Sequence, residues 1–376
     1  MRIGIDASRA FGGEPTGTER YSYEVITRLL ELPEAGKQEW ILYTRKSQFP
    51  GPKIQTNSNT RIVQIPHKYL WTQVGLAMRT WIDKLDVLWV PAHTLPVFRR
   101  PGLRTVVTIH GIEYEWLPAY ENWLQRWYLP LSTKYVVSQA DKLIAVSEFT
   151  KNQLVGRLGA TPSKIEVVYE GVNESNGAGE WGSKQVWRKF GLQEKQYMMF
   201  VGTIQPRKNL VRLIEAFSRL RWGGKLVISG KWGWSYDEVM AAPRKFGVEE
   251  RVIFTGYIKD TERLLLLRYA LLYIQPSITE GFGLPVIEAM KLGVPVIVSS
   301  GGALLELVPH PRQVGGQAWP IFDPSNVEDM ASKIEMVIGD TKLRLEMIQQ
   351  GRRKANEFTW HNTALKTYNI LTSWRN

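Results

Sequence analysis

The 376-residue chain contains no cysteine, which excludes disulfides, thiolate zinc sites and a cysteine nucleophile and fits a reducing compartment. Histidine is scarce: His67, His93, His110, His310 and His361 are scattered, with no pair at helical metal-ligand spacing, so no structural metal is expected. Long apolar runs are missing too. The best, Leu264 to Gln275, is broken by Arg268 and falls short of the roughly 20 residues that span a bilayer. The opening MRIGIDASRA sets Arg2 and Asp6 around a very short apolar stretch, so a signal peptide is not expected. A cytoplasmic protein follows as the expectation, at most peripheral at the inner face of the membrane.

What is present is a globular composition. Hydrophobic residues make up 44% of the chain, with 15 Trp, 15 Tyr and 12 Phe, too aromatic for disorder, and the length favours two domains over one. The net charge is +12. Residues 1–175 carry 21 Lys and Arg against 17 Asp and Glu and the remainder 27 against 19, so most of the excess lies in the second half. There Arg207, Lys208, Arg212, Arg219, Arg221, Lys225 and Lys231 share a stretch whose only acid is Glu215. Nucleic acid, an anionic membrane or a phosphorylated ligand would each be attracted, and charge alone does not choose.

Short β-branched runs recur through the first half, at 2–7, 40–44, 61–65, 86–90, 105–109, 142–146 and 164–168, mostly separated by helix-length segments. This rhythm predicts βαβ units and a parallel sheet, with a first helix from about Thr18 to Leu32. ESNGAGEWGS (174–183) has no period and is read as an interdomain linker. The rhythm restarts at 197–202, 225–229, 251–256, 271–276 and 295–300. The expected organisation is an α/β domain over 1–175, a second over 176–356, and an amphipathic helix over 357–376.

Three loops carry chemistry. In SITEGFGLPVIEAM, Gly281 and Gly283 let backbone approach a ligand, Pro285 suits a first helical turn, Glu280 falls in the loop and Glu288 about one turn into the helix. Two carboxylates at a strand's C-terminal edge can accept hydrogen bonds from sugar and ribose hydroxyls. In VGTIQPRKNL, a strand ends at Gly202, and Arg207 and Lys208 precede a helix whose expected cap is Asn209, an arrangement that suits a diphosphate. GGEPTGTERY follows the first strand, and its Gly12 and Gly13 are explained as well by a tight turn as by a phosphate loop. His110 ends another strand, on the ligand side of an open sheet. VSEFTKN reads as a helix start capped by Ser147.

Taken in order, Gly12-Gly13 with Thr16-Gly17, the His110 strand end, VSEFT, VVYEGVN, VGTIQPRKN, LVISGKWGW and EGFGLPVIEAMKLGVPVIVSS resemble the retaining glycosyltransferases of family 4. That resemblance implies the GT-B architecture: two Rossmann-like domains facing across a cleft, the last helix crossing back to the first. It implies that Arg207 and Lys208 grip the donor diphosphate, Glu280 the donor sugar and Glu288 the ribose, while Gly13 offers backbone to the phosphates and His110 contacts sugar or acceptor. Gly12, Gly202, Ser229, Gly230, Lys231, Gly281, Phe282, Gly283 and Leu284 would complete the donor site. No Asp-x-Asp motif is present, so activity without a divalent metal is expected and no cofactor is called for. LVISGKWGW and VGTIQPRKN look closest to bacterial mannosyltransferases that use GDP-mannose in polysaccharide assembly. The sequence departs from the family where Gly111 follows His110 in place of the usual Asp, leaving Glu113 as a substitute, and in HPRQVGGQAW after Glu306.

The partners implied are a nucleotide-sugar donor and a glycan or lipid-linked acceptor. A UDP-sugar donor, nucleotide-sugar epimerisation and phosphorolysis stand as alternatives on the same fold. A basic nucleic-acid-binding protein is the reading from a different class, and it lacks a recognisable module. HKYLWTQVGLAMRTW (67–81) and FRRPGLR (98–104) read either as core helix with a solvated loop or as a peripheral membrane contact.

Overall fold

The computed structural model describes residues 1–10, 17–45, 59–66, 70–112, 123–173, 180–309 and 318–374. Its elements divide into two compact units, the first running from Arg2 to Val167 and regaining the chain for its last helix, the second from Glu180 to Ala355.

The first unit is built on seven parallel strands, β1 (Arg2–Asp6), β2 (Glu39–Thr44), β3 (Thr60–Gln64), β4 (Val87–Val90), β5 (Arg104–Ile109), β6 (Lys142–Ala145) and β7 (Ile165–Val167), in the order β3-β2-β1-β4-β5-β6-β7. Runs such as VLWV in β4 are buried throughout, as expected of strands covered on both faces. The covering helices include α1 (Gly17–Glu31), α2 (Ala77–Ile82), α3 (Trp123–Gln139) and α4 (Glu148–Leu158). Ser147 caps α4 as its position suggests, its Oγ accepting from the Thr150 N–H at 3.0 Å.

The second unit repeats the plan. Strands β8 (Tyr197–Val201), β9 (Lys225–Ser229), β10 (Val252–Gly256), β11 (Leu272–Gln275), β12 (Val296–Ser299) and β13 (Ile321–Phe322) form a parallel sheet in the order β10-β9-β8-β11-β12-β13. Its helices are α5 (Glu180–Phe190), α6 (Leu210–Ser218), α7 (Asp237–Lys245), α8 (Asp260–Tyr269), α9 (Leu284–Lys291), α10 (Leu304–Leu307), α11 (Val327–Gly339) and α12 (Thr341–Ala355). Two expectations are corrected. The segment read as linker already belongs to α5 from Glu180 onward; residues 174–179 lie outside the described residues. β13 escapes notice in the sequence, since a two-residue strand inside AWPIFDP has no periodicity to display.

The last helix, α13 (Trp360–Thr372), packs on α1 in the first unit. Tyr368 donates its hydroxyl to the Glu34 carbonyl at 2.9 Å, and Thr363 donates to the Tyr169 carbonyl at 2.8 Å. Trp360 is buried and meets the Tyr21 ring at 6.2 Å. Gly171 is obligatory beneath it: a Cβ there would come within 2.1 Å of the Trp360 nitrogen. Truncating so large a buried ring removes about 3–5 kcal/mol. Trp360→Ala should therefore lower the first unit's unfolding free energy by about that amount in urea titrations.

Candidate functional site

The order of the second sheet reverses between β8 and β11, so their carboxyl ends flank a topological switch point, where open α/β sheets bind ligands. Two loops leave there. After β8, Gly202 leads to a tight turn at Pro206–Lys208; after β11, residues 276–283 lead into α9, with Pro285 in its first turn.

These loops converge on one carboxylate. Arg207 Nη1 donates to Glu280 Oε2 at 2.8 Å, and Lys208 Nζ donates to Glu280 Oε1. The same Oε1 accepts from Ser277 Oγ at 2.6 Å and from Gln275 Nε2 at 2.8 Å. Arg207 also donates to the Thr279 carbonyl at 3.1 Å, while its own carbonyl accepts from the Ile278 N–H at 2.8 Å. Glu280 is buried. Burial opposes its ionisation, but the charges of Lys208 and Arg207 and the donated hydrogen bonds prevail, lowering its pKa to about 2. The loop takes this shape only because Gly302, in the left-handed region at φ 68°, lies against it: a Cβ there would sit 2.3 Å from the Glu280 nitrogen.

Glu288, inside α9, has a different partner. Arg263 of α8 grips it in bidentate fashion, Nη1 to Oε2 at 2.5 Å and Nη2 to Oε1 at 3.2 Å, with both side chains buried. Burial works to lower the pKa of Arg263; Glu288 and Asp260 outweigh it and raise the pKa. Arg263, Gln275 and Ser277 were not anticipated from the sequence. The available signal for Arg263 was a guanidinium on the four-leucine helix RLLLLR, which no solvated face explains.

At the ends of β8 and β9 the backbones nearly touch. Gly202 N–H donates to the Ser229 carbonyl at 2.9 Å, and a Cβ on Gly230, at φ 150°, would fall 2.0 Å from the Gly202 oxygen. Ser229 Oγ accepts from Thr255 at 2.9 Å, and the Lys231 ammonium stands over the Tyr257 ring at 5.0 Å. Gly281, Phe282, Gly283 and Leu284 line the entry to α9; Phe282 is buried against Phe358, ring centroids 5.9 Å apart. Asn209 is not the expected side-chain cap. It sits at φ 59° and spends its amide on the Pro276 and Pro324 carbonyls, at 3.0 and 2.7 Å, tying the two loops together. Nor does the basic stretch act as one patch: Arg212 bonds Asn209, Arg219 pairs with Glu215 and Glu328, and Lys225 caps the Gly191 carbonyl.

In the first unit, the switch point lies between β1 and β4. His110, after β5, places Nδ1 at 3.1 Å from Glu170 Oε1 and Nε2 at 3.0 Å from the Pro91 carbonyl. Both partners are acceptors while Glu170 is ionised, so both contacts are made together only when the ring carries two protons or Glu170 carries one. Tyr21 packs edge-on to the ring at 4.6 Å. The neighbouring His93 accepts the His110 N–H through Nε2 at 3.4 Å; burial, then the charges of His110 and Arg9, lower its pKa to about 3, so it is neutral. Gly12, Gly13 and Glu113 lie outside the described residues. Among the described residues, no three His, Asp or Glu side chains group as metal ligands.

Comparison with known proteins agrees with this layout. The family model described as Glycosyltransferase Family 4 matches residues 15–176, and that described as Glycosyl transferases group 1 matches residues 184–354. O-antigen chain mannosyltransferase B of Escherichia coli is 29% identical over 272 residues, covering 71% of this chain and 69% of the relative. A D-inositol 3-phosphate glycosyltransferase of Salinispora arenicola is 31% identical over 250 residues, covering 62% of this chain and 55% of the relative. Among solved structures, a sucrose-phosphate synthase from Thermosynechococcus elongatus aligns at TM-score 0.75 and 19% identity over 98% of each chain. Anabaena HepE, in complex with UDP and glucose, aligns at 0.74 and 17% over 99% of each. The architecture is GT-B.

Two stability outcomes follow from the buried ion pairs. Arg263→Met should cost about 3–5 kcal/mol in denaturant titrations by stranding Glu288, and adding Glu288→Leu should restore much of the loss. The Glu280 carboxyl is lower in the folded chain than its ordinary value of about 4.3, so its stabilisation is complete above that value and is lost as pH falls through about 2. Thermal melts between about pH 5 and pH 2 should show wild type falling more steeply than Glu280→Gln, which starts lower because the buried Lys208 and the half-buried Arg207 lose their partner.

Proposed function

Starting from a chain that belongs to glycosyltransferase family 4 and is a glycosyltransferase, we propose that it transfers mannose from GDP-mannose to a glycan or lipid-linked acceptor, with retention of configuration and without a divalent metal. The observation that carries the reading is the convergence of Arg207 and Lys208 at the switch point of the second sheet. Two cations gathered at the ends of the strands suit a diphosphate as it gains charge in the transition state. The E. coli relative, by its name a mannosyltransferase, supports the choice of sugar.

In this reading the bond between the anomeric carbon and the diphosphate oxygen breaks on the face where the acceptor hydroxyl attacks. A new bond forms from the anomeric carbon to the acceptor oxygen, and the acceptor proton passes to the departing phosphate oxygen. Arg207 and Lys208 hold that phosphate. Glu280 accepts from sugar hydroxyls, and Glu288, positioned by Arg263, from the ribose. Gly202, Ser229, Gly230 and the 281–284 loop line the donor.

A hydrolysis screen over GDP-, UDP- and ADP-sugars, with and without a chelator, tests the donor and the metal together. GDP-mannose turnover that survives the chelator is expected, with GDP raising the melting temperature. A UDP-sugar preference would replace the donor. Lys208→Ala and Glu280→Ala should each lower kcat/KM by about 100-fold or more, the scale of losing one transition-state donor; full activity in both would overturn the site. NMR of the product's anomeric proton checks retention.

A further inference from the structure

The first unit exposes large apolar side chains in one region. Among its described residues, all but Ile62 lie on three neighbouring segments: Leu70, Val74, Met78, Trp81 and Ile82; Val97 and Phe98; and Leu131. The first segment is a π-helical turn, Trp71–Leu76, running into α2. Leu70, Val74, Met78 and Ile82 stand four apart and Trp81 three beyond Met78, so they form one stripe. Trp71, Leu76, Ala77 and Thr80 take the buried face. This is core helix on one side only.

The other segments adjoin this stripe. Gln73 accepts from the Val97 N–H at 2.9 Å and donates to the Leu95 carbonyl at 3.1 Å, and Thr80 accepts from the Arg100 N–H at 3.1 Å. Arg99 bridges from that loop to the Tyr135 hydroxyl at 2.9 Å, one turn along α3 from Leu131. Phe98, at the loop's tip, is 81% exposed and Leu70 68%. The rim is basic. Residues 70–104 hold Arg79, Lys84, Arg99, Arg100 and Arg104 against Asp83 and Asp86. Asp83 is buried under Arg61, Arg79 and Tyr43, and Asp86 accepts the Arg2 N–H. Lys134 stands exposed three residues from Leu131.

We propose that this face docks on an anionic phospholipid bilayer, the apolar stripe and Phe98 entering the acyl boundary and Lys84, Arg100 and Lys134 meeting lipid phosphates. An apolar surface with aromatic tips and cations of one sign fits a charged interface. Protein interfaces, by contrast, are depleted in lysine. The inference uses no part of the donor site, so the two fail separately.

The full chain is sedimented with phosphatidylglycerol–phosphatidylcholine vesicles and with phosphatidylcholine alone, at about 0.15 M salt. Wild type is expected to pellet with the anionic vesicles, and the Trp81→Ser, Phe98→Ser double variant to partition at least tenfold less. The variant's unchanged melting shift with GDP, or unchanged near-UV circular dichroism if GDP does not bind, certifies its fold. Lys84→Gln with Lys134→Gln should also weaken binding. Absence of pelleting, equal pelleting of the Trp81, Phe98 variant, or self-association through this face without vesicle binding overturns the proposal.

Discussion

The second unit is organised around the carboxylate of Glu280. Taking an ionised carboxylate out of water costs several kcal/mol, and the cost is met only when charged and hydrogen-bonding partners are fixed in place. Here four side chains do so: Arg207, Lys208 and Ser277 from two loops and Gln275 from the end of β11. That requirement sets the path of both loops. It explains why Asn209 is drawn into the left-handed region to bind two carbonyls rather than cap α6, and why Gly302 can bear no side chain. The pair Arg263–Glu288 repeats the logic with a bidentate contact that fixes α8 against α9.

The alternation of strands and helices was legible because parallel strands buried on both faces announce themselves as apolar runs, and local caps such as Ser147 are written within four residues. The places of Arg207, Lys208 and Glu280 on loops after strand ends, and of Glu288 in the helix that follows, were legible because glycines and strand ends mark those segments. Their partners were not. Arg207 and Glu280 are 73 residues apart and Arg263 and Glu288 25 apart, so no local pattern links them; only the sheet order brings them together. Asn209 failed for a related reason: its two acceptors, Pro276 and Pro324, are supplied by distant loops that outcompete the helix end.

His110 shows position and function as separate questions. Its place after β5 was read from the sequence, but the ring is not a free group. Glu170, Pro91 and Tyr21 hold its plane. The brace is itself tied to the last helix, since Tyr21 also meets Trp360, and Gly171, next to Glu170, lies directly under that residue. The chain's final segment thus supports the histidine in the same unit, a long-range dependence invisible in the sequence around His110.

The basic excess illustrates why charge density is a poor guide to binding. Much of it serves structure. Arg219 joins Glu215 and Glu328 at the surface, Lys195 holds the Arg268 and Ala270 carbonyls, and Arg251 reaches the Trp222 and Gly224 carbonyls. Each spends its donors on groups that fix the fold. Of the seven cations in the 207–231 stretch, Arg207 and Lys208 alone converge on one acceptor at a strand-end switch point. Convergence is costly to build, because like charges repel and must be desolvated together. A chain that maintains such an arrangement gains no comparable stability from it over an apolar packing of the same volume. In the function proposed above, the anion this arrangement receives is the donor diphosphate.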